Sequence, residues 1–318
     1  MEGRGEFGFI DHIKRRFPGP EGLVGIGDDC AILPSGEGEL LCSTDMLVEG
    51  VHFLRDYASP EDIGWKSLAV NLSDIAAMGG IPEATFLSIA LPRDAQGEWS
   101  EKFVAGYAEL SDIFDVPLLG GDTTSSLRDI VINVGVIGRA PAAKSLRRSG
   151  AAPGQAIYVT GTLGDSAGGL RAILDAWERT PQVESLIRRH MKPVPRIKEG
   201  QALMNTGLTG AMIDVSDGIA SDIRHILNAS GVGARIHLDK IPLSDELRSV
   251  CEAHQTDAGL LAVSGGEDYE LLFTAPVGIE MMLDFSVFRI GEIVPGDTLV
   301  WVDSGRVLDL DINGYEHF

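Results

Sequence analysis

The stretch from Gly64 to Gly80, GWKSLAVNLSDIAAMGG, constrains this chain more than any other. At 100° per residue Trp65, Leu68, Leu72, Ile75 and Ala76 fall on one face, the pattern of a helix packed against a core. Gly79 and Gly80 follow the last periodic residue and Pro82 comes just after, so the helix is predicted to stop there. Ser67, Asn71 and Asp74 form a polar stripe beside the apolar face, which sets Asp74 mid-helix at the edge of the buried side. A carboxylate so placed needs a positive partner, because burying a bare charge is expensive. Taken by itself, Asp74 is most simply an exposed helical Asp. The other carboxylates of the chain shift that balance.

A chain of 318 residues is long for one core and points to two domains. With 44% hydrophobic residues and regular Gly and Pro punctuation it is globular, and 39 glycines fit an α/β protein with many tight turns. No apolar run reaches the length of a membrane span, and the N-terminus lacks a signal-peptide core, so no membrane role is expected. Cys30, Cys42 and Cys251 form no CxxC pair, which suggests reduced thiols and a cytoplasmic setting. A net charge of −21 argues against nucleic acid. It leaves room for a nucleotide, provided divalent cations stand between the two sets of negative charge.

Residues 6–17 are predicted to form a helix with Ile10, Ile13 and Phe17 inward. In GLVGIGDDCAILPSG a short apolar strand carries Asp28 and Asp29 near its middle, so the pair is exposed at an edge or neutralised by a cation. GIGDDC is not GxGxxG and no helix follows it, which rules out a dinucleotide fingerprint. Residues 39–45 are predicted as a strand ending in Ser43, Thr44 and Asp45, a hard-oxygen set suited to Mg²⁺, although a turn or helix cap would use the same residues. His52, flanked by apolar residues, has the setting of a structural histidine. A strand over 84–91 and a helix over 98–114 lead to VPLLGGDTTSS, again strand, Gly-Gly and then Asp122 with Thr123 and Thr124.

After a buried strand at 130–138, GRAPAAKS resembles a phosphate loop, but Ala143 replaces its second Gly and Pro141 removes a needed N–H. It is better taken as a polar linker through Gly154, with Lys144, Arg147 and Arg148 as candidates to meet a phosphate. Helices are expected at 165–179 and 196–206, then a strand at 210–214 ending in Asp214. Ser216 is placed to cap the next helix, whose inward face is Ile219, Ile223 and Ile226, and Asp214 with Asp217 could hold a metal beside that helix N-terminus. Glu267 and Asp268 follow a Gly pair before another strand, and a β-rich tail ends in GYEHF.

These carboxylates mostly follow apolar strands, so in an open α/β sheet they could converge on one cleft beyond the strand ends. Oxygen ligands without a thiol or His cluster favour Mg²⁺, Ca²⁺ or Mn²⁺ over zinc. GxSxG is absent, so no nucleophile elbow is present. The residues alone therefore indicate a multi-Mg²⁺ phosphoryl-handling enzyme and leave kinase, phosphatase and ATP-dependent ligase open.

GIGDDCA, STDMLVEGVHF, KSLAVNLSDIAAMGG, GGDTT, RSGAAPG, IDVSDG, GGEDYELLFT and GYEHF, in this order over nearly the whole chain, resemble the thiamine-monophosphate kinase family. That family sits in the aminoimidazole ribonucleotide synthetase-like ATP-binding superfamily. The resemblance implies an α/β (α+β) two-domain fold: residues 1–138 as an ATP/Mg-binding and dimerisation domain, a linker at 139–154, and a C-terminal α/β domain at 155–318. It implies a homodimer paired through the N-terminal sheets, with ATP in a groove beside that surface, and γ-phosphoryl transfer from ATP to thiamine monophosphate without a protein nucleophile. By motif, Asp29, Ser43, Thr44, Asp45, Asp74, Asp122, Asp214 and Asp217 would hold several Mg²⁺ ions, with Asp28 a possible addition. Gly121, Asp122, Arg148 and Ser216 would contact ATP, and His52, Glu267 and Tyr315 the thiamine substrate. The alternatives are another ATP-dependent enzyme of the superfamily or a metal-dependent phosphohydrolase.

Overall fold

The organising helix, α1, runs from Pro60 to Ala77 in the computed structural model, which describes residues 10, 14–15, 26–36, 38–140 and 145–308. Most of the helix expected over 6–17, Lys144 and the terminal GYEHF with Tyr315 lie outside the described residues. Helix α1 begins four residues earlier than its apolar periodicity suggests. Asp62 N–H donates to Ser59 Oγ at 3.1 Å, Pro60 opens the first turn, and Glu61 and Asp62 lie where the helix dipole favours negative charge. It ends before Gly79, whose φ of +68° suits a residue without Cβ.

Trp65, Leu68, Leu72, Ile75 and Ala76 are buried as expected, but so are Lys66, Ser67, Asn71 and Ser73. The helix is enclosed on nearly every side rather than amphipathic, because it lies between a sheet and elements of the second half of the chain. Its closest crossing is with α2, Glu98–Phe114. A Cβ on Gly64 would come within 2.0 Å of Phe103 O, and one on Gly106 within 1.9 Å of Glu61 O. Two glycines facing two backbones let the helix axes approach closely.

The first sheet has five strands in the order β1 (Ala31–Ser35), β2 (Gly38–Val48), β5 (Val131–Ala140), β3 (Ile81–Leu91) and β4 (Leu118–Ser125). Only β3 and β4 pair in parallel. Alternation along β5 buries Ile132, Val134 and Val136 on the inner, helix-covered face. The outer face keeps large apolar side chains in solvent, among them Met46 at 53% and Phe86 at 41% exposure. Asp28 and Asp29 precede β1 in a turn instead of interrupting a strand. Because β2 continues to Val48, Ser43, Thr44 and Asp45 lie mid-strand, and the Gly-Gly and Asp122 likewise fall inside β4.

The second half builds a seven-stranded sheet in the order β12 (Arg306–Leu308), β11 (Leu299–Asp303), β8 (Gly233–His237), β10 (Phe288–Val294), β6 (Ala156–Val159), β9 (Leu271–Ala275) and β7 (Met212–Asp214). Its pairings are antiparallel except β8 with β11. Both sheets are therefore mixed and mainly antiparallel, which places the fold on the α+β side of the expectation. Helices α3 (Asp165–Leu174), α4 (Pro181–Met191), α5 (Ile197–Thr206), α6 (Ile219–Ser230), α7 (Asp245–Ala253) and α8 (Ala258–Ser264) complete it. Helix α3 stops at Leu174, short of the expected 179, where Ala176 takes a φ of +51°. Leu68, Leu72 and Ile75 of α1 share one core with Ile132 and Val134 of the first sheet and Tyr158, Met212 and Phe273 of the second. Ile219, Ile223 and Ile226 of α6 anchor a separate core with Ile213 and Trp301.

Candidate active site

Asp74 sits on the face of α1 where Ile63, Lys66 and Val70 also line a cleft of about 1180 Å³. Helix α1 brings it to Asp29 from the turn before β1 and Asp214 from the end of β7. Carboxylate oxygens of these three lie within 4.8 Å of one another. Asp74 accepts a hydrogen bond from Ser43 Oγ, and Asp214 accepts one from Ser73 Oγ at 2.5 Å. Asp45 is fixed by its backbone, whose N–H donates to Asn71 Oδ1 at 3.1 Å. The polar stripe of α1 thus serves the cluster directly.

Holding these groups together without a counter-ion pushes their acidity down. Burial, then Asp45, Asp214 and Asp29, raise the Asp74 carboxyl well above its ordinary value. Burial and then Asp29 lift Asp214 to about 7, and burial, Asp29 and Asp217 lift Asp45 to about 6. Asp29 Oδ2 is buried with no hydrogen-bond partner among the described residues, while Oδ1 takes Arg148 Nη2 at 2.7 Å. An orphaned carboxylate oxygen, converging carboxylates and a serine hydroxyl form a donor set that fits Mg²⁺ or a similar hard cation.

The other expected residues divide clearly. Ser216, Asp217, His52 and Glu267 line the same cleft as Asp45, Asp74 and Asp214. His52 Nδ1 accepts from Val48 N–H at 3.0 Å, so the ring also secures its own turn. Asp28 is not one of the three converging carboxylates and accepts the Arg148 backbone N–H at 2.7 Å. The Thr44 hydroxyl donates to Val134 O at 3.1 Å and accepts from Asn133. Gly121 and Asp122 lie on the exposed edge strand β4, Asp122 across from Ser88, and do not line this cleft. Ser216 does not cap α6. Gly218 holds that position, and the Ser216 carbonyl accepts Glu267 N–H at 2.7 Å instead.

Residues 27–140 match the model for the AIR synthase related protein N-terminal domain, and 152–304 match its C-terminal domain. The thiamine-monophosphate kinase of Salmonella typhimurium is 43% identical over 310 residues, covering 93% of this chain and 92% of that one. The chain belongs to the thiamine-monophosphate kinase family. The Aquifex aeolicus member is 38% identical over 316 residues, covering 99% of this chain and 98% of its own. A solved structure of AaThiL complexed with AMPPCP and TMP superposes with a TM-score of 0.89 at 36% identity, covering 99% and 97% of the two chains.

The cleft of this kinase-family chain also holds groups that no sequence pattern singled out. Lys66 of α1 is buried and reaches both Glu267 oxygens at 2.9 Å. His190, 3.4 Å from the same carboxylate, and Ser166, hydrogen-bonded to that ring, line the cleft as well. Beneath the lining the almost fully buried Asp222 accepts Asp217 N–H at 3.3 Å. Lys66 is the only Lys or Arg in an otherwise enclosed helix, a signal that could have marked it. His190 and Asp222 carry no comparable local signal.

Proposed function

We propose that this chain transfers the γ-phosphoryl group of ATP to the phosphate of thiamine monophosphate, giving thiamine diphosphate and ADP. The observation that carries this reading is the convergence of Asp29, Asp74 and Asp214 beside a cleft large enough for both substrates, in a chain of this family. The acceptor is a phosphate monoester whose second ionisation lies near pH 6, so it needs no protein base to become a nucleophile. One acceptor oxygen bonds to the γ-phosphorus as the bond from that phosphorus to the β–γ bridging oxygen breaks; ADP leaves with the bridging oxygen, and the acceptor oxygen becomes the bridge of thiamine diphosphate. The difficulty is bringing two polyanions together in an acidic cleft.

Asp29, Asp45, Asp74, Asp214 and Asp217 with Ser43 would hold several Mg²⁺ ions, and Asp28, Thr44 and Asp122 complete the proposed set. Magnesium bound there would neutralise phosphate oxygens and stabilise charge on the transferring group. Arg148, joined to Asp29 by an ion pair that cation binding would compete for, would turn its guanidinium to a phosphate of ATP. Ser216, with Gly121 and Asp122 at the β4 edge, would complete the ATP contacts. His52, Glu267 and Tyr315 would hold the thiamine moiety. The outer face of the first sheet, with Met46 and Phe86 exposed, supports pairing of two copies through that sheet. Three free thiols, Cys30, Cys42 and Cys251, fit a cytoplasmic enzyme. The test is incubation with ATP and thiamine monophosphate, followed by chromatography. Thiamine diphosphate should appear one-for-one with ADP, and only with Mg²⁺. Inorganic phosphate without thiamine diphosphate would overturn the kinase reading.

A further inference from the structure

Glu267 is held more tightly than a surface carboxylate needs. Its φ of +63° is in the left-handed region, which a residue with a side chain enters only at a cost that the surrounding structure must offset. Its N–H is tied to Ser216 O at 2.7 Å, and the next turn is tied down by Tyr269 N–H on Val215 O at 2.9 Å. The side chain, 28% exposed, lines the cleft and is gripped by Lys66 of the first domain's α1, which lines it too. Lys66 Nζ is 2.9 Å from both oxygens, and the Lys66 side chain is only 4% exposed, so its ammonium has this carboxylate in place of water. From α4, His190 Nδ1 stands 3.4 Å from Glu267 Oε2 and 2.9 Å from Ser166 Oγ. Burial, then Lys66, lower His190 to about 3, and among the described residues Lys66 is the strongest positive influence on Glu267, ahead of His190 and His52.

We infer that Lys66 is a positioning residue for the acceptor: an ammonium on α1 fixes the Glu267 carboxylate of the second domain where it meets the cationic, amine-bearing ring system of the substrate. This rests on Glu267 being an acceptor contact, as proposed above. Removing the ammonium lets the carboxylate swing away, which weakens acceptor binding and leaves the metal and ATP end of the cleft in place.

The test is steady-state kinetics of the full chain carrying Lys66→Met, Glu267→Gln or both, with thiamine monophosphate varied at saturating Mg-ATP. Lys66→Met should raise the KM for thiamine monophosphate about tenfold or more, with a much smaller fall in kcat and no matching rise in the KM for Mg-ATP. The double variant should be no worse in that KM than Glu267→Gln alone, because Lys66 acts through Glu267. An unchanged acceptor KM, a fall confined to kcat, or additive losses in the double variant would overturn the inference. If Lys66→Met does not fold, the double variant, which leaves no unpaired buried charge, is compared with Glu267→Gln instead: an equal acceptor KM supports the inference and a higher one overturns it. A wild type that makes no thiamine diphosphate would instead overturn the kinase reading itself.

Discussion

Asp29 is where the two sign-opposed parts of the site meet, with one oxygen on Arg148 and the other orphaned beside Asp74 and Asp214. If Arg148 engages ATP, Arg148→Ala should lose a charge-assisted phosphate contact of about 1.5–3 kcal/mol, roughly ten- to hundredfold in ATP-dependent rate. Lys144→Ala should do little. A dead Lys144→Ala beside an active Arg148→Ala would show that residues 138–145 bind phosphate after all. The neighbouring carboxylates set a pH dependence. Burial and nearby charges raise Asp214 to about 7 and Asp45 to about 6, against about 4 in an unfolded chain. Between these values the native state holds more protons than the unfolded one. The stability those protons contribute is complete below the ordinary carboxylate pKa and is lost as pH rises through 6 to 7. In EDTA the Tm should therefore be higher at pH 6 than at pH 8, and saturating Mg²⁺ should shrink or reverse the difference. A Tm that climbs from pH 6 to 8 in EDTA would contradict this.

At the scale of elements, α1 shows what local pattern can and cannot reveal. The spacing of Trp65, Leu68, Leu72 and Ile75 located its core face because periodicity follows burial. The start at Pro60 was also legible in Ser59-Pro60-Glu61-Asp62, a cap, a first-turn proline and two acids, yet the apolar repeat hid it. Ser43-Thr44-Asp45 was misplaced at a strand end because the following Met46-Leu47-Val48 continues the strand. The expectation that the carboxylates converge beyond the strand ends of an open α/β sheet gave way to a cluster drawn from a turn, a helix and a strand end. Lys66 and Glu267 are 201 residues apart, a pairing that packing alone specifies. Gly64 is a direct probe of that packing. Alanine is ordinarily the better helix former by about 1 kcal/mol, but its Cβ would lie 2.0 Å from Phe103 O. Gly64→Ala should therefore lower stability by about 1–3 kcal/mol and reduce activity as α1 is pushed aside. A raised Tm would show that the helices part without cost.

At the scale of the molecule, one core joins the two sheets through α1, so the cleft lies where both domains must be folded together. The outer sheet face predicts a dimer of the 34.0 kDa chain by light scattering, and Phe86→Asp should shift it toward monomer. A monomeric wild type would contradict that pairing. Helix α1 presents Asp74 to a site suited to cations, at a cost in metal-free stability. Two carboxylates about 4 Å apart at an effective dielectric near 20 repel by roughly 4 kcal/mol, and a bound cation replaces repulsion with attraction and stabilises by mass action. The decisive measurement is the Tm of wild type and Asp74→Asn, each in EDTA and in Mg²⁺, beside their rates of thiamine diphosphate formation. The substitution should match or exceed wild type in EDTA, gain less from Mg²⁺, and be nearly inactive. If Asp74→Asn instead unfolds the protein in EDTA, Asp74 is a structural hydrogen-bonding residue and α1 is scaffold alone.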